Sequence, residues 1–344
     1  LAETPSPDAA PPASAPVVVI AVIAAVIALY LSRSVAEPVG FALVVIALAM
    51  PLQGWLRARM PAGLALLVTV VTTLAVIALL GYIIVWSVSH IAQWVVAHLP
   101  RFQLAYAELM DWLVAQDLYA PGLTSRFNPA WVLGPMRSVL TLTQGAVGFL
   151  MLAFVFLVLG LKEAPGLPTR LRHIGANEMA ALGGDLSAKL GRYMAVRAAA
   201  SVLTGVGTAL VAWLIGIDEP VAWGVLSFAL NFIPFIGPLI AVILMTLFAA
   251  AQFVAWQQPL LVIVFVTTVQ FGIGSYLEPI MAGSALSISP FMVLVAVFFW
   301  GMLWGIPGAF LGVPIMILLV TLFEGSPRLR WLGFLLSGRD PPKR

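Results

Sequence analysis

The sequence predicts an all-α, polytopic membrane protein with about eight transmembrane helices, two of them broken, plus amphipathic helices between spans. Three observations carry this. The chain is 62% hydrophobic and only 9% charged, whereas a soluble domain carries roughly 25% charged residues. Several apolar runs reach the ~18–20 residues that cross a bilayer. Two of those runs are interrupted by proline and glycine, and such breaks survive in hydrocarbon only where the freed backbone groups are buried in protein or line a polar cavity.

The elements follow in order. The chain starts at Leu1 rather than Met, which points to an unusual start codon or a trimmed chain. Residues 1–16 are rich in proline and alanine and are expected to be a disordered tail. The apolar run that follows lacks a basic flank before it and a small-residue cleavage site after it. It therefore reads as a retained helix, not a signal peptide. Hydropathy places spans at 17–31, 39–56, 62–87, 138–161, 194–216, 221–250, 259–277 and 290–323. Together, 17–325 form a single transmembrane domain and 326–344 a C-terminal tail.

Charge sets the orientation. Arg57 and Arg59 follow the second span. Lys162, Arg170, Arg172, Lys189, Arg192 and Arg197 group between the fourth and fifth. Arg328, Arg330, Arg339, Lys343 and Arg344 follow the last. Eight crossings put all three groups on one side, which the positive-inside rule makes cytoplasmic, so both termini are expected there. A net charge of +3 in this class reports those loops and not a nucleic-acid partner.

Two connections carry helical patterns. In the insertion 88–137, expected to be extracytoplasmic, Ile91, Trp94, Val95, Leu99, Phe102, Tyr106, Leu109 and Leu113 form one apolar stripe, with Pro100 bending or restarting the helix. This reads as an interfacial helix, or else as a subunit contact or lid. In the cytoplasmic segment 162–193, Leu182, Leu186, Leu190 and Tyr193 share a face opposite Asp185, Lys189 and Arg192. It is expected to be a surface helix leading into the fifth span.

The candidate site lies at the breaks. Asn231-Phe232-Ile233-Pro234-Phe235-Ile236-Gly237-Pro238 interrupts the sixth span. Gly305-Ile306-Pro307-Gly308 with Gly312-Val313-Pro314 interrupts the eighth. Paired interruptions of this kind are the best sequence pointer to a transporter site, set against ordinary kinking and close helix packing. Substrate-binding candidates are therefore Asn231, Pro234, Gly237 and Pro238, with Pro307, Gly308, Gly312 and Pro314. Glu278 is the one acidic residue between long apolar runs in a region otherwise free of charge, so it is the ion-coupling candidate. Its place next to Pro279 suggests an extended residue ending a helix near the outer boundary, where a solvated carboxylate is the plain alternative.

Other chemistry finds no support. There is no cysteine, so disulfide and thiolate chemistry are excluded. His90, His98 and His173 form no ligand pattern, and no phosphate-binding loop or zinc-protease helix is present. No cofactor, metal or enzymatic activity is expected.

The run from Asn231 to Pro238, then Tyr276-Leu277-Glu278-Pro279, Gly283, Leu286, Ser289-Pro290, Gly305-Ile306-Pro307-Gly308 and Val313-Pro314, resembles the autoinducer-2 exporter (AI-2E) family. Ser275 and Ser284 stand where that family often has an asparagine and a basic residue. The resemblance implies eight spans, cytoplasmic ends in a bacterial inner membrane, export or exchange of a small solute, and a homo-oligomer, with a pentamer as one form. Some relatives are linked to sodium–proton antiport. The expectation is thus a secondary transporter of a small polar, autoinducer-2-like solute working by alternating access. The alternatives are a Na+(Li+)/H+ antiporter, with H+ or Na+ as partner, or a non-transporting scaffold in the lipid bilayer.

Overall fold

A computed structural model describes residues 15–116, 148–282, 288–326 and 329–338. The expected tail 1–16 is almost wholly outside these residues. So are the start of the fourth span, much of the 88–137 insertion, Gly283, Ser284 and Leu286, and the end of the C-terminal tail. The described residues form helices α1 (Ala15–Leu31), α2 (Arg33–Arg57), α3 (Ala62–Ala97), α4 (Leu99–Ala115) and α5 (Gly148–His173). They continue as α6 (Asn177–Ile215), α7 (Pro220–Leu230), α8 (Ile236–Gln252) and α9 (Gln257–Phe271). The last two are α10 (Pro290–Gly325) and α11 (Arg330–Ser337). α9 runs on through a π turn, Gly272–Leu277, into a final turn, Glu278–Ala282. Among the described residues, six helices are long and apolar enough to cross a membrane: α2, α3, α5, α6, α9 with its continuation, and α10. This is the all-α polytopic membrane fold that the composition predicts.

α6 is the axis of the bundle. It starts in the amphipathic segment and continues without interruption into the fifth apolar run. Small residues let its neighbours approach. A methyl on Gly224 of α7 would lie 2.7 Å from Gly205 O, and one on Gly205 would lie 2.8 Å from Gly224 O. Helix contact in lipid depends on this kind of close van der Waals approach, because lipid tails are as apolar as leucine. α2 joins through Ser187 Oγ, which donates to Ala47 O at 3.2 Å. Gln53 then ties α2 to α5 by donating to Leu161 O at 2.9 Å in a buried position.

The two interrupted segments do not run straight on. They fold back. α7 and α8 form an antiparallel hairpin, since Trp223 near the start of α7 packs on Phe248 near the end of α8, with ring centroids 5.2 Å apart. At its root Gln252 donates to Gly216 O at 2.9 Å and accepts from Asp218 N at 3.0 Å. Trp94 of α3 anchors the same root by donating to Asp218 Oδ2 at 2.8 Å. α10 also doubles back, at Gly305, whose φ of 64° and ψ of −142° suit glycine. Ala296, Met316 and Val320 share one buried cluster, whereas a straight helix would hold residues 296 and 316 about 30 Å apart. α11, within the expected C-terminal tail, packs at the open end of this second hairpin, and Ser289 N donates to Leu336 O at 3.3 Å.

The hairpins enter from opposite ends of the bundle. The first has its root beside the C-terminal end of α3. The second has its root near the N-terminal part of α6, where Gly325 faces Leu182. Their tips meet between: Phe232 lies 6.0 Å from Phe310, and Ile233 and Ile236 pack with Val297, Ala309 and Val313.

One consequence corrects the sequence reading. Because the first hairpin returns to the end it left, α9 runs opposite to the direction that a straight sixth span requires. Val262 and Val266 meet Ala212, Val269 faces Gly207, and Glu278 reaches Arg197, so α9 is antiparallel to α6. Glu278 therefore lies toward the end carrying the basic loops, not at the outer boundary. Nor is it extended: its φ and ψ are −60° and −47°. The π turn explains this. Glu278 N bonds to Ile273 O, five residues back, and Pro279 then sits in a first turn, where its missing donor costs little.

Candidate functional site

A cavity of about 590 Å³ opens between α6, the first hairpin tip, the end of α9 and both arms of the second hairpin. The first break supplies Asn231, Pro234, Phe235 and Pro238 to its wall. Glu278, Gln270 and Ser275 come from α9 and its continuation, and Tyr193 and Arg197 from α6.

The tip is shaped by its sequence. Pro234 cannot donate a backbone hydrogen bond, and α7 has ended at Leu230. The chain reverses through a three-residue turn in which Ile236 N donates to Pro234 O at 2.7 Å. The central residue, Phe235, has φ 62° and ψ −49°. That is the rare, strained form of the γ-turn, and here it sits on the cavity wall. Gly237 is needed for a different reason. It packs directly on Leu230 O, so no side chain fits there, and Gly237 is not part of the wall. Asn231 is buried, and its amide donates to Ser201 Oγ of α6 at 3.1 Å, which pins the tip to the axis.

The second break behaves differently. Pro307, Gly308, Gly312 and Pro314 do not line the cavity. Gly308 packs on Trp300 O, and a methyl on Gly312 would lie 3.0 Å from Ala296 O. Gly308 and Gly312 let the two arms of α10 close on each other. The second hairpin reaches the cavity through Pro290, Val293, Val313 and Ile317 instead.

Glu278 has a partner that the sequence reading assigned elsewhere. Arg197 Nη1 donates to both carboxylate oxygens, at 2.8 and 2.7 Å. Arg197 is 5% exposed and the Glu278 side chain 21%, so this is a part-buried ion pair with its cation inside the bundle, and not a loop cation. The signal was available: Arg197 falls inside the fifth apolar run, 194–216, and an ionisable residue there faces the bundle interior and marks function. Gln270 and Tyr193 also line the wall, outside the residues that the sequence singles out for the site. Nothing in their local sequence distinguishes them from packing residues.

Two opposed helical hairpins whose tips meet at a cavity holding a charge pair define a polytopic membrane protein with an internal polar site. The comparisons agree. A family model described as AI-2E family transporter matches residues 19–328, and the chain belongs to that family. A Borreliella burgdorferi protein named "Putative transport protein" is 34% identical over 50% of this chain and 46% of its own length. The Escherichia coli protein named AI-2 transport protein TqsA is 29% identical over 65% of each chain. A Haemophilus influenzae "Putative transport protein" is 25% identical over 89% of this chain and 91% of its own. The match thus spans about half of the first relative, under two thirds of the second and nearly all of the third.

Proposed function

We propose that the chain is a secondary transporter that exports or exchanges a small polar solute through this cavity by alternating access. The observation that carries it is the cavity itself, walled by a strained hairpin tip and a part-buried ion pair. Asn231 and the open backbone around Pro234 and Pro238 present hydrogen-bonding groups to the solute. The Arg197–Glu278 pair is where a proton or cation gradient would act. The name of the E. coli relative supports an autoinducer-2-like solute. The setting proposed is a bacterial inner membrane with both termini cytoplasmic. Hairpins add no crossing, and with α1 taken as the first span, α1, α2, α3, α5, α6 and α9 make six crossings, an even number. The broad apolar outer faces, such as that of α3, suit lipid and the homo-oligomer contact implied by the family.

Cation–proton exchange is the second reading, and Glu278 favours it as the one carboxylate on the cavity wall among the described residues. Its pairing with Arg197 neutralises that charge, so solute transport ranks first. The test is flux into liposomes. Ser275 lines the cavity, and the chain has no native cysteine. Ser275→Cys should transport until a bulky thiol reagent is attached and then stop. Val254→Cys, at the far hairpin root, should be insensitive to the same reagent. Unimpeded flux in labelled Ser275→Cys would place the solute path elsewhere.

A further inference from the structure

Arg197 uses only one nitrogen for Glu278. Both carboxylate oxygens sit on Nη1. Nε and Nη2 are buried and have no hydrogen-bond partner among the described residues. These two nitrogens form the side-on edge of the guanidinium, with two parallel N–H groups that match a carboxylate bidentately. A second buried group on the same wall is also unpaired: Gln270 is 7% exposed, and both Nε2 and Oε1 lack partners among the described residues. Buried polar groups left unmatched are costly, and such groups in a native fold need an explanation. Two of them on one cavity wall, from facing helices, describe an incomplete recognition site.

We infer that the solute is a small organic carboxylate whose carboxyl group binds the Nε/Nη2 edge of Arg197, with Gln270, eight residues before Glu278 and so about 12 Å further along the same wall, facing the other end of its body. This rests on the transport reading and keeps its cavity, but puts a carboxylate in place of the autoinducer-2-like solute. The charge balance selects the class. Among the described residues Arg197 is the one cation on the cavity wall, and Glu278 already shares it. A monoanion adds one net negative charge to the neutral Arg197–Glu278 pair and a phosphate dianion adds about two, so the smaller charge is favoured. The rest of the wall is mostly apolar, with Val196, Leu239 and Val242 among its residues, and suits a short carbon skeleton. Both free Arg197 nitrogens are sealed from solvent in this conformation, so binding requires the wall to part. Glu278 acts here as a competitor and an orienting group: it fixes the guanidinium plane and repels the incoming anion.

That competition gives a readout that a structural role would not produce. The full chain in nanodiscs would be titrated calorimetrically with propionate, lactate, propionamide and inorganic phosphate. The carboxylates should bind at least about tenfold more tightly than the amide, and phosphate more weakly than either carboxylate. Glu278→Gln should bind lactate about tenfold more tightly than the parent, because it removes a like charge while keeping an acceptor for Nη1. Arg197→Lys should weaken lactate binding by about tenfold or more, since an ammonium cannot offer the fork. Arg197→Gln combined with Glu278→Gln leaves no unpaired charge to unfold the bundle, and should show no preference for carboxylate over amide. Equal binding of propionate and propionamide would overturn the inference, as would Glu278→Gln binding lactate no better than the parent. If carboxylate preference is absent while flux remains blockable at Ser275→Cys, transport stands and this inference fails. If lactate binds but nothing crosses, this inference stands and the transport reading fails.

Discussion

Arg197 and Glu278 show how differently a sequence treats two halves of one interaction. Glu278 was conspicuous because it stands alone among apolar residues. Arg197 was not, because a cation eleven residues after Leu186 and near Lys189 and Arg192 looks like the end of a basic loop. Their separation of 81 positions leaves no local trace of the pairing. The pair also sets an energetic asymmetry. Removing one member of a buried ion pair strands the other charge and costs about 3–5 kcal/mol, whereas replacing both by apolar groups of similar size is often neutral or better. Arg197→Met alone should therefore lower the thermal unfolding midpoint of the detergent-solubilised protein clearly. Arg197→Met with Glu278→Leu should recover most of it while remaining inactive in flux. An equal loss of stability in the single and double variants would mean that the pair is not the organising contact of this wall.

At the scale of elements, the two breaks were legible and their geometry was not. Proline and glycine announce that a helix stops, but they say nothing about the angle at which the chain resumes. What turns α7 back along α8 is tertiary: Trp223 against Phe248, and the Gln252 clasp on Gly216 and Asp218. The eight candidate residues also divide in a way that spacing cannot reveal: Asn231, Pro234 and Pro238 line the cavity, Gly237 packs under Leu230 O, and the four of the second break lie off the wall, where Gly308 and Gly312 pack α10 against itself. The two tips should accordingly fail differently. Gly305→Ala forces a side chain into a backbone region that L-residues rarely adopt, costing about 1–3 kcal/mol. It should weaken the fold in thermal unfolding and reduce flux only in proportion to folded protein. Phe235→Gly removes strain at the first tip without touching the packing of α10. It should leave the unfolding midpoint unchanged or higher and yet alter flux, because a relaxed tip no longer holds Pro234 and Pro238 in one place. A parallel fall in stability and flux for Phe235→Gly would show that the γ-turn is merely structural.

For the whole molecule, the decisive difference between the sequence reading and the structure is one of direction. Eight straight crossings put the connection between the sixth and seventh spans on the side of the basic loops. A hairpin that returns to its own root puts that connection beside Asp218, at the opposite end. The apolar runs themselves are identical in the two arrangements, so hydropathy cannot distinguish them, and charge gives no help because residues 251–258 carry none. Val254 is 97% exposed in this connection, and Ile174 is 77% exposed between α5 and α6, flanked by Arg170 and Arg172. In a chain without native cysteine, Val254→Cys and Ile174→Cys can be labelled one at a time with an impermeant maleimide in right-side-out and inverted vesicles. The folded-back arrangement expects opposite sidedness, with Ile174→Cys reacting from the cytoplasmic face and Val254→Cys from the outer face. Eight straight spans expect both to react from the cytoplasm. Same-side labelling would contradict the hairpin, the reversed direction of α9 and the placement of Glu278 together, because all three depend on the single reversal at residues 231–236.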